Sequence, residues 1–172
     1  MPPTVAEAPW RAPDAVETII ANRGAVVRIG GDRAFYSPLT DHIQMPPRHA
    51  FHSASGWSSV IIHETGHWSG GKARLNRDLR TRFGSHDYAR EEARVEIAQT
   101  MVCAELGIEC DFTNTAAYLA SWLEVLRSDR KETFRAAADA QRIADYLLAF
   151  HPDYARMAAS SEASAQQDAA AA

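Results

Sequence analysis

Cysteine is scarce: two residues in a chain of 172. That excludes a disulfide scaffold and any four-cysteine metal knuckle. Long apolar runs are missing as well, and no stretch approaches the ~20 residues that a membrane span requires. The first 13 residues are proline-rich and lack the apolar core of a signal peptide, so a cytoplasmic location with no membrane contact is expected. Excess positive charge is absent: 18 Lys+Arg against 22 Asp+Glu give a net charge of −4. This argues against bulk, sequence-independent binding to nucleic acid. Histidine, in contrast, is plentiful at seven residues, and its ratio to cysteine points to imidazole rather than thiolate for any metal chemistry.

The length suits one domain. Residues 1–13 read as a flexible lead, residues 14–155 as the folded domain, and the Ala/Ser-rich residues 156–172 as a disordered tail that cannot bury enough apolar surface. Within the domain, Asp14–Asn22 carries a helical pattern. Ala25–Ile29 and Ala34–Ser37 flank Gly30-Gly31-Asp32 as a hairpin. Asp41–Met45 reads as a third strand, and its flanking prolines suggest a sheet edge, either open to an extended peptide or a plain edge protected by proline. The rest is helical: Ser58–Trp68, then Tyr88–Leu106 capped by Ser85 or Asp87, then Thr115–Arg127 and Arg130–Phe150, the last opened by Asp129 and Glu132 at capping-box spacing. The expected class is α+β, a small antiparallel or mixed N-terminal sheet packed on a mainly helical body.

The chemistry concentrates in His63-Glu64-Thr65-Gly66-His67. Residues four apart share one helix face, so His63 and His67 can grip one metal ion, and Glu64 can act as general base on a water. Val60, Ile61 and Ile62 lead directly into His63, which implies that this helix is at least half buried. Gly66 is unfavourable in a helix interior by up to ~1 kcal/mol and suggests a close neighbour. On the long helix, Tyr88, Glu92, Glu96, Gln99 and Cys103 form one stripe beside Val95, Val102 and Leu106, so the stripe faces inward. Glu92 is assigned as third ligand, and Glu96 as acceptor for a ligand histidine; the reverse assignment fits the same stripe. Glu91, about 100° away, reads as solvated. Tyr88, one turn before Glu92, is a candidate to hydrogen-bond an oxyanion, against the plainer role of a buried tyrosine.

The H-E-x-x-H helix followed by Glu92-x-x-x-Glu96 resembles the gluzincin arrangement of zinc metallopeptidases. Tyr36-Ser37-Pro38 through Asp41–Pro46, then HETGHWSG, Arg74–Arg77 (RLNR), YAREEARVEIA, CAELGI, AAYLASWLEVL and AQRIADYLL resemble, in order, the metallopeptidase domain of the ArdC antirestriction family over roughly residues 35–150. The resemblance implies a zincin-like fold, one Zn²⁺ and hydrolysis of a protein or peptide substrate. It also implies an association with DNA, since full-length members carry an N-terminal single-stranded-DNA-binding domain. About 34 residues precede Phe35 here, too few to hold it. Two functions follow: a zinc-dependent peptidase, or a non-catalytic antirestriction module that uses the fold for binding. The basic stretch Lys72, Arg74, Arg77, Arg80, Arg82 reads as a solvated connection, against the alternative of a contact with nucleic acid or an acidic partner, and Cys103 with Cys110 as a reduced pair. Trp122, Leu119, Leu123, Leu126, Phe134, Leu147 and Leu148 read as core or a helix-pairing seam. His42, His49, His52, His86 and His151 lack ligand spacing and read as surface or capping residues, with His49 or His52 as candidates for the site mouth.

Overall fold

The computed structural model describes residues 13–79, 84–110, 127, 129 and 131–171. Helix α1 (Asp14–Asn22) buries Val16 and Ile19. Strands β1 (Val26–Ile29), β2 (Phe35–Ser37) and β3 (His42–Met45) follow. After a single 3₁₀ turn at Arg48–Ala50 come α2 (Ala54–Ser69), α3 (His86–Glu105), α4 (Lys131–Leu148) and α5 (Pro152–Ala171). The class is α+β, and the sheet is mixed.

The strand order is β1-β3-β2. β3 runs parallel to β1, with Ile43 opposite Val27, and antiparallel to β2, with Ile43 opposite Tyr36. The expected hairpin between the first two strands therefore does not form. β3 is the centre of the sheet and not an edge: Ile43 and Met45 are fully buried. Pro38 directly follows β2 and Pro46 directly follows β3, so neither removes a ladder hydrogen bond. With both sides of β3 occupied, the peptide-pairing edge cannot lie there; the edges are β1 and β2.

α2 begins four residues earlier than expected because the Ser53 hydroxyl accepts from the Gly56 amide and caps it, so Gly56 sits inside the first turn without stopping the helix. α2 packs against β2, β3, α3 and α4, which makes it the spine of the domain. At Gly66 the fit to α3 is tight: a Cβ there would lie 2.7 Å from Cγ1 of Val95. The glycine is what lets α3 close onto the histidine face. Ser85 caps α3 by accepting from the Tyr88 amide, and Gly107, at φ +65°, follows its C-terminus. In α4, Asp129 accepts from the Lys131 amide, but Glu132 does not complete a capping box, because Arg94 of α3 binds its carboxylate instead.

Ile61, Val95, Val102, Ile143 and Leu147 form the centre of the core. Phe134, expected in the helix seam, is exposed. The tail is helical through Ala171 where disorder was expected: alanine has little to bury but the strongest helix preference. The helix expected at Thr115–Arg127 lies, apart from Arg127, outside the described residues, as do Arg80, Arg82 and the lead before Pro13. No described helix is long and apolar enough to cross a membrane.

Candidate metal centre

α2 supplies two histidines one turn apart, and α3, drawn close at Gly66, supplies carboxylates opposite them. Nε2 of His63 and Nε2 of His67 lie 3.1 Å apart. Glu92 places Oε2 3.5 Å from the first and Oε1 3.4 Å from the second. Donor atoms of these three residues all fall within 4.8 Å of one another. Bonds of 2.0–2.1 Å to a tetrahedral ion give donor–donor edges of about 3.3 Å, so these spacings fit a zinc-sized cation.

The remaining ring nitrogens are also held. Nδ1 of His63 lies 3.0 Å from Oε1 of Gln99, whose amide nitrogen donates to the carbonyl and hydroxyl of Ser59 and so fixes which way the amide points. Glu96 stands 3.6 Å from the same Nδ1, an ion-pair contact rather than a hydrogen bond. The hydrogen-bonding partner of His63 Nδ1 is thus Gln99, one turn further along the same stripe, with Glu96 in ion-pair range of the same atom. Nδ1 of His67 lies 3.4 Å from Oε1 of Glu91. Glu91 is buried, not solvated as its angle on the helix suggested, and Arg77 binds it at 2.9 Å. With each Nδ1 facing its own partner, both Nε2 atoms face Glu92, and a cation taken up there would displace their protons.

The electrostatics match a cation. Burial favours neutral imidazole, but the carboxylates outweigh it: Glu92 raises His63, and Glu91 and Glu92 push His67 up to about 10. Burial opposes ionisation of Glu91 too, yet His67 and Arg77 hold it at about 2. Glu92 is held below the usual carboxylate range by the two histidines, against its own burial. Glu64 is buried beside them.

These groups open on a cleft of about 730 Å³. Glu64, Tyr88 and Glu96 line it, and Phe35, Phe51, Val60 and Leu79 give it an apolar wall. Edge strand β2 borders it through Phe35 and Tyr36. Neither His49 nor His52 lines it; both are exposed. His42 is buried, with Nδ1 2.6 Å from the Thr40 hydroxyl, so it is no surface residue. His151 accepts from the Asp153 amide at the start of α5.

The arginine-rich connection is built into the structure. Arg74 stacks on Trp68 with its guanidinium 4.2 Å from the ring centre, and pairs with Asp41 at 2.6 Å. Sequence reasoning missed Arg77 and Glu91. A signal was available in Gly70-Gly71: a Cβ on Gly70 would lie 2.9 Å from Arg77, and one on Gly71 1.9 Å from Arg74. Cys103 and Cys110 are free thiols, the first buried.

A mixed sheet, a buried H-E-x-x-H helix and a glutamate from the following helix define a zincin-type metallopeptidase domain, and the zincin-like metallopeptidase family model matches residues 14–139. The chain belongs to that family. It is 48% identical over 145 residues to two Escherichia coli proteins named DNA primase TraC, covering 84% of this chain but 14% and 10% of theirs. It is 46% identical over 144 residues to the uncharacterized protein y4eC of Sinorhizobium fredii, covering 83% of this chain and 47% of that one. Crystal structures of the antirestriction protein ArdC from plasmid R388 share the fold. The Mn(II)-bound form gives a TM-score of 0.76 at 40% identity, covering 83% of this chain and 54% of that one. The metal-free form gives 0.74 at 41%, covering 83% and 52%. The chain thus spans about half the length of ArdC and y4eC, and a small part of the TraC proteins.

Proposed function

We propose that the chain is a zinc-dependent peptidase. The observation that carries this reading is the convergence of His63 Nε2, His67 Nε2 and the Glu92 carboxylate at tetrahedral spacing, with Glu64 buried next to them. A divalent ion held there supplies Lewis-acid polarisation of a carbonyl and lowers the pKa of water towards ~7. Glu64 takes the proton of the attacking water and delivers it to the leaving amine. Tyr88, on the cleft wall, donates a hydrogen bond to the oxyanion. An extended peptide pairs with edge strand β2, and the apolar wall takes its side chains. The free thiols fit a reducing compartment, and the chain is assigned to the cytoplasm.

The test is a peptide-library digest. Glu64→Gln retains one zinc per chain and loses hydrolysis; His67→Ala loses both. Stoichiometric zinc in His67→Ala would remove that residue from the ligand set.

The relatives' names, DNA primase TraC and antirestriction ArdC, favour a second reading, an antirestriction module that associates with DNA and uses the fold for binding rather than cleavage. The cleft itself is lined by Glu64, Glu91, Glu92 and Glu96, which repel phosphate, so DNA contact on this reading lies elsewhere on the chain. A salt-dependent gel shift that survives Glu64→Gln, with no peptide cleaved by the wild type, supports the module over the enzyme.

A further inference from the structure

We propose that Arg77 is a positioning residue of the metal centre: through Glu91 it orients His67, and so ties the Gly70–Leu79 loop to the affinity of the site for a divalent cation. The proposal rests on His63, His67 and Glu92 being the ligands.

An imidazole presents one nitrogen to a metal reliably only when its other N–H has a fixed acceptor. For His63 that acceptor is Gln99, itself pinned by Ser59. For His67 the group facing Nδ1 is Glu91, Oε1 of which lies 3.4 Å away in an ion-pair contact. Arg77 fixes this carboxylate. Its Nη2 donates to Oε1 at 2.9 Å, and its Nε reaches Oε2 at 3.2 Å and Oε1 at 3.3 Å. The same guanidinium donates to the Gly66 carbonyl at 2.7 Å and to the Ser69 hydroxyl at 2.9 Å. Arg77 therefore references Glu91 to the very turn of α2 that carries His67. An ion pair serving stability alone would need no contact with either the histidine or its turn.

The loop is shaped to deliver this side chain. The Arg77 amide donates to the Gly70 carbonyl at 2.9 Å, and Asn76 turns the chain at φ +50°, a region asparagine tolerates better than most residues. Gly70 leaves room for the guanidinium, since a Cβ there would sit 2.9 Å from Nη2 and 3.0 Å from Cζ. Two residues beyond Arg77, Leu79 forms part of the cleft wall. One loop thus touches both the place where substrate lies and the acceptor that aims a ligand.

The test is a zinc titration of the full chain against a competing chelator, with apo melting temperature read alongside. R77M and E91Q each weaken zinc binding by about 10–100-fold. The double variant is no weaker than the poorer single, because both changes loosen the same group, the Glu91 carboxylate held by Arg77, and R77K recovers part of the loss. Wild-type affinity in R77M or E91Q, with only the apo melting temperature lowered, would leave the pair a purely structural role and overturn the proposal. Wild-type affinity in H67A would instead sink the ligand assignment beneath it. Should the variants fail to fold, the Nδ1 proton of His67 in the zinc-loaded native chain decides by NMR: slow exchange supports the held acceptor, and fast exchange refutes it.

Discussion

His63, Glu64 and His67 were legible because helix geometry is rigid: four-residue spacing puts both rings on one face whatever the tertiary fold. Glu92 was legible for the same reason, through its stripe with Glu96 and Gln99. Glu91 was not. Its angle on α3 suggests solvent, but the Gly70–Leu79 loop covers that side, and a loop leaves no periodic signal in sequence. Arg23 is a second residue whose place periodicity did not give. It is 4% exposed, among Val16, Ile19 and Ile61, with no side-chain hydrogen-bond partner among the described residues, and burial pulls its pKa down to about 10. Replacing an unpartnered buried cation by an apolar side chain of similar length removes a desolvation penalty. Arg23→Met is expected to raise the unfolding free energy by about 1–3 kcal/mol, read as a higher urea midpoint with an unchanged slope; a lower midpoint would show that the guanidinium has a stabilising partner.

The elements explain why the site assembles. Helix positions were largely readable, as amphipathic spacing and caps such as Ser85 are local. The sheet order was not, because pairing β1 with β3 across an intervening strand is a non-local choice that turn chemistry at Gly30-Gly31 does not determine. Gly66 connects the two levels: a glycine in a helix interior calls for a close neighbour, and Val95 is that neighbour. Gly66→Ala gains up to ~1 kcal/mol in helix propensity but drives a methyl into Val95 of α3, and overpacking costs about 1–3 kcal/mol. The net expectation is lower stability by urea denaturation together with weaker zinc binding, since α3 carries Glu91 and Glu92. Tighter zinc binding in this variant would contradict the packing argument.

A second tie joins the sheet to the loop. Arg74 holds Asp41 in its charged form, its hydrogen bond lowering the carboxyl pKa, and the Tyr36 hydroxyl donates to the same carboxylate. Burial and Asp41 push Tyr36 up to about 12. The sign follows from the lowered Asp41 value: the pairing stabilises the fold above the unfolded value near 3.8 and is lost as pH falls through the folded one. Asp41 is 55% exposed, so its share is below about 1 kcal/mol. Because Asp41 sits at φ +48°, which asparagine also accepts, Asp41→Asn isolates the charge. It is expected to flatten the acid limb of the stability–pH curve slightly below pH 4 and to leave neutral stability within 1 kcal/mol, roughly; an unchanged acid limb would place the carboxylate's effect in the unfolded chain.

At the scale of the whole molecule, the centre joins α2 to α3 across the core, so an ion bound there favours the folded state over the unfolded one. With free zinc at about 100 times its dissociation constant the stabilisation is about 2.7 kcal/mol. Adding a chelator to the zinc-loaded chain should lower the melting temperature, and His67→Ala should show no such response. The mild acidity of the composition takes on meaning here: Glu64, Glu91, Glu92 and Glu96, all buried, gather around one point. That is a poor surface for nucleic acid and a good one for a cation. The most direct test compares a peptide-library digest by the zinc-loaded wild type with one by Glu64→Gln loaded to the same stoichiometry. Loss of the general base should slow cleavage by about 10²–10⁴-fold; equal cleavage by both chains, or none by the loaded wild type, would contradict the assignment of a working peptidase site.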